Sequence, residues 1–173
     1  MEKIGEGGTS VVLAAQDTKS DRLIALKVLR EESKSHRVED NIRFRKETAT
    51  MLPNAGDFRS KQTDDQAAQI YVLFPKFPKF VNTRIVGYHW DSEAPKGARG
   101  ASPAWPKIKC IVLRDKTDPL GVWVEEKRNI YEDYIALFDE EPPAVGAISV
   151  YINSQHTKSE AESFISFIYF SRN

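Results

Sequence analysis

Two sets of residues in this chain have types and spacing that suit chemistry. The first is Asp64, Asp65, Glu126, Arg128 and Asp133, with Tyr88, Trp90 and Trp123 on adjoining runs. Charged groups beside segments otherwise built for burial fit a polar cleft on a sheet face, with the aromatic rings as stacking platforms of the kind that sugar-binding sandwiches use. The same residues fit plain architecture: Arg128 bridging Asp133 or Asp65, and both tryptophans in a core. No spacing makes two carboxylates converge, so carboxylate-pair catalysis has little support. The second set is Gly5, Gly7, Gly8 and Val12, followed by Ala25 and Lys27. Glycines at the mouth of two short strands let backbone N–H groups approach a phosphate, and a lysine on the neighbouring strand is placed to pair with it.

The elements that must hold these residues can be read from the period of the apolar positions. Val11–Ala15 and Leu23–Leu29 are short apolar runs joined by a polar turn, and the spacing over residues 42–51 predicts a helix. Leu52-Pro53-Asn54-Ala55-Gly56 ends that pattern and marks a junction. Strands are then expected at Gln69–Phe74, Arg84–Trp90, Lys107–Arg114, Val122–Lys127, Ala147–Asn153 and Ser163–Phe170, with an exposed loop over Asp91–Pro106. A short helix follows Val122–Lys127: Ile130, Tyr134 and Leu137 share one face, Asn129 is its cap, and Glu132 and Asp133 lie in its first turn. The expected class is α+β and mostly β, an antiparallel β-sandwich with one short helix over residues 52–173, preceded by a separate unit over residues 1–51.

Composition narrows the function classes. Lys+Arg and Asp+Glu are both 25, so the formal net charge is zero and no polyanion or nucleic-acid partner is expected. Hydrophobic residues make up 40% of the 173, enough for a packed core. The single cysteine, Cys110, lies in an apolar run and suits core packing; with His36, His89 and His156 scattered, no metal site is expected. No apolar run reaches membrane-spanning length and the N-terminus is not a signal peptide, which makes the chain, as it stands, cytoplasmic by expectation.

Residues 1–51 resemble the start of a eukaryotic-type protein kinase small lobe. Gly5, Gly7 and Val12 match the family's glycine loop, with Ser10 in place of its third glycine; Ala25-Leu26-Lys27 matches its Ala-x-Lys strand. Glu47, 20 residues after Lys27, stands where the helix-C glutamate pairs with that lysine. The resemblance implies an ATP and magnesium site at Gly5, Gly7, Gly8, Val12, Ala25, Lys27 and Glu47. The family's catalytic-loop aspartate and Asp-Phe-Gly are missing: His36-Arg37-Val38-Glu39-Asp40 lies before Glu47, and Phe138-Asp139-Glu140 is a different sequence. An inactive, pseudokinase-like ATP-loop fragment is what remains.

Residues 53–171 resemble a bacterial domain-of-unknown-function family, number three-zero-four-seven. The matching residues are Asp64-Asp65 before Ala67–Val72, Tyr88-x-Trp90, Trp123-x-x-Glu126-x-Arg128-Asn129, and Asp133-Tyr134 with Phe138. The family's N-terminal strands are replaced by the kinase-like segment, and the acidic positions of its C-terminal loop are amides in Asn153-Ser154-Gln155-His156-Thr157. The resemblance carries no activity. The expected whole is a composite chain, a true fusion or two fragments joined in sequence assembly, with a non-catalytic sandwich that needs no cofactor and takes an unknown small molecule or glycan. Export of the parent family is the alternative to a cytoplasmic location.

Overall fold

The computed structural model describes residues 2–7, 10–16, 23–29, 40–166 and 168–172, with side chains described from Thr48 onward apart from residues 79, 80, 167, 169, 171 and 172. The fold is mostly β. Strands β1 (Glu2–Gly7), β2 (Ser10–Gln16) and β3 (Leu23–Leu29) form an antiparallel sheet, with Gly7 opposite Ser10 and Val12 opposite Lys27.

Strand β4 (Asp40–Met51) overturns the expected helix. Its backbone pairs with three other strands of one sheet, and Glu47 is the register partner of Val124 on one side and Ile165 on the other. Helical spacing over residues 42–51 loses to this because a 12-residue central strand satisfies its backbone along both edges. The side chains of Lys27 and Glu47 lie outside the described residues.

The larger sheet runs in the order β10-β5-β6-β8-β7. Its members are β5 (Ala68–Phe74), β6 (Arg84–Trp90), β7 (Arg99–Ala101), β8 (Ile108–Arg114) and β10 (Ala147–Tyr151), with the one-turn helix α1 (Lys79–Asn82) between β5 and β6. The expected strands recur here, with two differences. The loop after Trp90 contributes β7 as an edge strand, and it returns the chain so that β8 runs parallel to β6. An all-antiparallel sheet was expected; the 17-residue return from Trp90 to Ile108 is long enough for a crossover, which a tight turn would forbid.

The second sheet centres on β4, flanked on one edge by β9 (Val124–Asn129) and on the other by β11 (Glu162–Ile165) and β12 (Ile168–Arg172). The single strand expected over Ser163–Phe170 is thus two, β11 and β12, which share one register along β4 from Ser163 onward, after a shift between Glu162 and Ser163. Between the sheets lies the main core: Ile70, Val72 and Phe74 of β5, Val86 and Tyr88 of β6, and Ile111 and Leu113 of β8. The helix α2 (Ile130–Phe138) closes it with Ile130 and Tyr134. Asn129 caps α2 as expected, its side chain accepting from Glu132 N at 3.2 Å. Asp139 ends the helix in a left-handed conformation, φ 54°, and donates its N–H to Ile135 O.

The other face of the larger sheet is covered too. Phe58 and Ala94, from the segments before β5 and after β6, pack on Cys110 and Val112, with Tyr71 beside them. Gly56 sits at this junction: its carbonyl accepts from the N–H groups of Ser92 and Glu93, and a Cβ on it would lie 2.1 Å from the Asp65 carbonyl oxygen, so no side chain fits where the segment before β5 folds back on itself. Both faces of β5, β6 and β8 are therefore interior, which accounts for their near-continuous apolar runs.

Candidate functional site

The expected cleft residues fall into two clusters and two separate aromatics. The first cluster lies between the sheets. Strand β9 turns directly into α2, so Arg128 near the strand's end meets Asp133 in the first turns of the helix. Arg128 Nε and Nη2 donate to the two Asp133 oxygens at 2.9 and 2.5 Å, and Tyr88 Oη donates to Asp133 Oδ2 at 2.8 Å. Burial, reinforced by the Asp133 carboxylate, pushes the Tyr88 phenol well above its usual range, so it stays a donor. Two residues back on the same strand face, Glu126 accepts from Arg114 Nε at 2.6 Å, and Arg114 Nη1 reaches Asp118 at 2.7 Å. Burial opposes the Asp118 charge, but Arg114 and the Asp115 N–H outweigh it and hold the carboxyl below its ordinary value.

The second cluster surrounds the Asp64–Asp65 pair. Asp65 is fully buried and clamps the loop after β10: its carboxylate accepts from His156 N, Thr157 N and Thr157 Oγ1 at 3.2, 2.6 and 2.7 Å, and His156 Nδ1 lies 3.1 Å away. Burial alone would raise this carboxyl; the Thr157 and His156 donors lower it overall. Asn153 completes the clamp, its side chain donating to Asp64 O and its N–H to Gln66 O. Asp64 itself is half-buried and accepts from Gln66 Nε2 at 3.2 Å; the same amide nitrogen lies 3.4 Å from Asp91 Oδ2. Asp91 also accepts from the N–H groups of Phe58, Glu93 and Ala94, yet burial pushes its carboxyl up to about 6.

The aromatics separate. Trp90, 1% exposed, packs against Ala49, Ala67 and Ala68 and donates its indole N–H to Asp115 O. Tyr88 is equally interior. Of the rings offered as alternative stacking platforms, Tyr88 and Trp90 are interior, since even positions of β6 face β4 and α2; Trp123, 48% exposed, keeps an open face, so the architectural option of both tryptophans in a core is corrected to Trp90 alone. Arg128 bridges Asp133 and not Asp65, the first of the two architectural options.

In chemical terms the inter-sheet carboxylates are committed to protein partners: Asp133 to Arg128 and Tyr88, Glu126 to Arg114, Asp118 to Arg114. Arg114, which is not among the expected site residues, holds two of these carboxylates, and Gln66 and Asp91 do the corresponding work in the second cluster. The signal for them was the continuous β-prone character of Gln69–Phe74, which marks a strand covered on both faces and so assigns the alternate positions of its neighbours to an interior. Of the glycine-turn set, Gly5 and Gly7 lie in β1, Val12 in β2, and Ala25 and Lys27 in β3; Gly8 lies outside the described residues. Among the described residues no helix is long and apolar enough to cross a membrane.

No curated protein matches the chain. A protein-family model described as "Protein of unknown function (DUF3047)" matches residues 27–169, from the end of β3 through β4 and the two larger sheets to the start of β12. The chain belongs to the DUF3047 family.

Proposed function

We propose that the sandwich is a non-catalytic binding module that takes carbohydrate on the outer face of the β4 sheet, with Trp123 as the stacking surface. The observation that carries this reading is the position of two exposed aromatics astride β4. Val124 is the partner of Glu47 and turns into the core, so Trp123 beside it faces outward; Phe164 is the partner of Thr48 and is 47% exposed. The Gly121 N–H donates to Ala49 O and ties the Trp123 segment against β4. Around the two rings stand the exposed polar side chains of Thr50, Glu125 and Glu162, groups that hydrogen-bond sugar hydroxyls, while the rings offer flat apolar surface to the sugar face. The test is a panel of oligosaccharides titrated against the parent, Trp123→Ala and Phe164→Ala, each verified folded by circular dichroism. Binding in the parent that falls at least tenfold in folded Trp123→Ala supports the reading. No binding, or unchanged binding in that variant, overturns it.

A second reading places a nucleotide phosphate at the β1–β2 turn. It is favoured by the antiparallel order β1-β2-β3, which sets Gly7 next to the turn and Lys27 across from Val12. It has lost its helix-borne glutamate, since Glu47 is on a strand. A thermal shift with Mg-ATP that is present in the parent and absent in Lys27→Ala supports it; no shift in the parent removes it.

A further inference from the structure

The three most exposed large apolar side chains among the described residues are Phe77, Trp105 and Val81, at 90, 63 and 61%. They are apart in sequence, but the larger sheet gathers them at one end. Strands β6 and β8 run parallel and both start there, Ile85 opposite Ile108, so the connection before β6 and the turn before β8 lie side by side. Hydrogen bonds join the two. Ile85 N–H donates to Lys107 O at 3.0 Å, and Lys107 Nζ donates to Val81 O and, at 3.2 Å, to Asn82 Oδ1. Asn82 donates in turn to Phe77 O at 2.9 Å, and Trp105 O accepts from Ile108 N–H at 2.8 Å. Three exposed apolar side chains on two tied segments make a patch, and such patches mark contact with another surface.

We propose that this end of the sandwich docks peripherally on a membrane surface rich in anionic lipid, with Phe77, Trp105 and Val81 entering the headgroup layer. Charge selects the lipid. Lys76, Arg84, Lys107 and Lys109 stand at the same end, with Lys79 opening α1. Glu140 holds two of them, Lys76 at 2.6 Å and Arg84 at 3.2 Å. The ammonium groups of Lys107 and Lys109 bond to carbonyl and amide oxygens, with no described carboxylate against them. Asp139 and Glu141 flank Glu140, and Tyr131 Oη donates to Glu141 at 2.9 Å, so cations still outnumber carboxylates here. Tryptophan settles at the boundary of headgroup and acyl chain, and lysines beside it reach lipid phosphates. Docking of this kind needs no helix of spanning length. The Trp123 face lies at the other end: β6 runs from Arg84 to Trp90, Trp90 packs on Ala49, and Gly121 is bonded to Ala49 O.

The experiment is sedimentation of the full chain with vesicles, either of phosphatidylcholine alone or of phosphatidylcholine and phosphatidylglycerol in equal parts. The parent should bind the mixed vesicles, bind the neutral ones roughly tenfold more weakly, and lose binding as salt rises. Phe77→Ser combined with Trp105→Ser, verified folded by circular dichroism, should weaken binding roughly tenfold or more, since two rings leave the interface. Brominated lipid supplies a readout independent of that variant. It should quench tryptophan fluorescence in the parent and in Trp123→Ala, and much less in Trp105→Phe, which still binds. No binding to mixed vesicles, equal binding to both kinds, or unchanged binding in the folded double variant overturns the proposal. So does a dimer that the double variant dissolves while vesicles go unbound, which assigns the face to a second copy of the chain. Should the double variant not fold, the quenching alone decides.

Discussion

Tyr88 Oη reaches from the larger sheet to Asp133 on α2, 2.8 Å away, and meets there the same carboxylate that Arg128 grips from β9. Strand β6 is thereby tied to the consecutive elements β9 and α2, 45 residues further along the chain at Asp133, through one carboxyl group whose side chain is 6% exposed. Asp133→Ala should therefore cost about 3 kcal/mol in urea unfolding, since it leaves a guanidinium and a phenol without their acceptor. The combined Asp133→Leu, Arg128→Met, Tyr88→Phe variant should recover most of that loss. A triple variant as unstable as the single one would refute an architectural role for the pair.

Trp90 and Trp123 should separate cleanly. Trp90→Ala empties the space beside Ala49, Ala67 and Ala68 and should destabilise by about 3–5 kcal/mol. Trp123→Ala removes an exposed ring and should stay within about 0.5 kcal/mol of the parent while abolishing glycan binding. Denaturation midpoints and binding titrations of the same two preparations make the comparison.

Asp65→Ala should free the loop from Asn153 to Thr157. It removes the acceptor of three hydrogen bonds from His156 and Thr157 and should cost roughly 2–3 kcal/mol. Amide exchange at His156 and Thr157 should quicken, while exchange in β5 and β6 should change only by the global loss. Uniform quickening across all strands would show that the clamp has no local role.

The pH dependence of His89 has a definite sign. Its folded-state value is lowered to about 3 from 6.5, so the unfolded chain binds a proton that the folded chain refuses, and stability falls as pH drops from 6.5 towards 3. Asp91, raised to about 6, acts oppositely: the folded chain binds its proton first and gains stability as pH falls through 6. Comparing His89→Phe with the parent isolates the histidine. The variant should gain on the parent by about 2 kcal/mol between pH 7 and pH 5 in urea unfolding. A pH-independent difference would place His89 in contact with solvent.

What the sequence by itself determined are the features carried by short-range spacing. Alternation at Val86, Tyr88 and Trp90 identifies the inward face of β6, and Asn129 with Ile130, Tyr134 and Leu137 identifies α2 with its cap, because capping and periodicity act within a few residues. Tertiary structure decided the rest. Residues 42–51 carry helical spacing, yet they form β4 because Val124 and Ile165, about 77 and 118 residues further along from Glu47, offer two backbone edges at once. Trp90 ends β6 and Trp123 immediately precedes β9; the first is core because Ala49 and Ala67 cover it, and the second is half exposed. His89 sits at the position that alternation assigns to solvent, and only the arrival of Phe58 over the outer face makes it interior. Local pattern gives each strand two faces, and which of them is covered depends on segments the pattern does not contain.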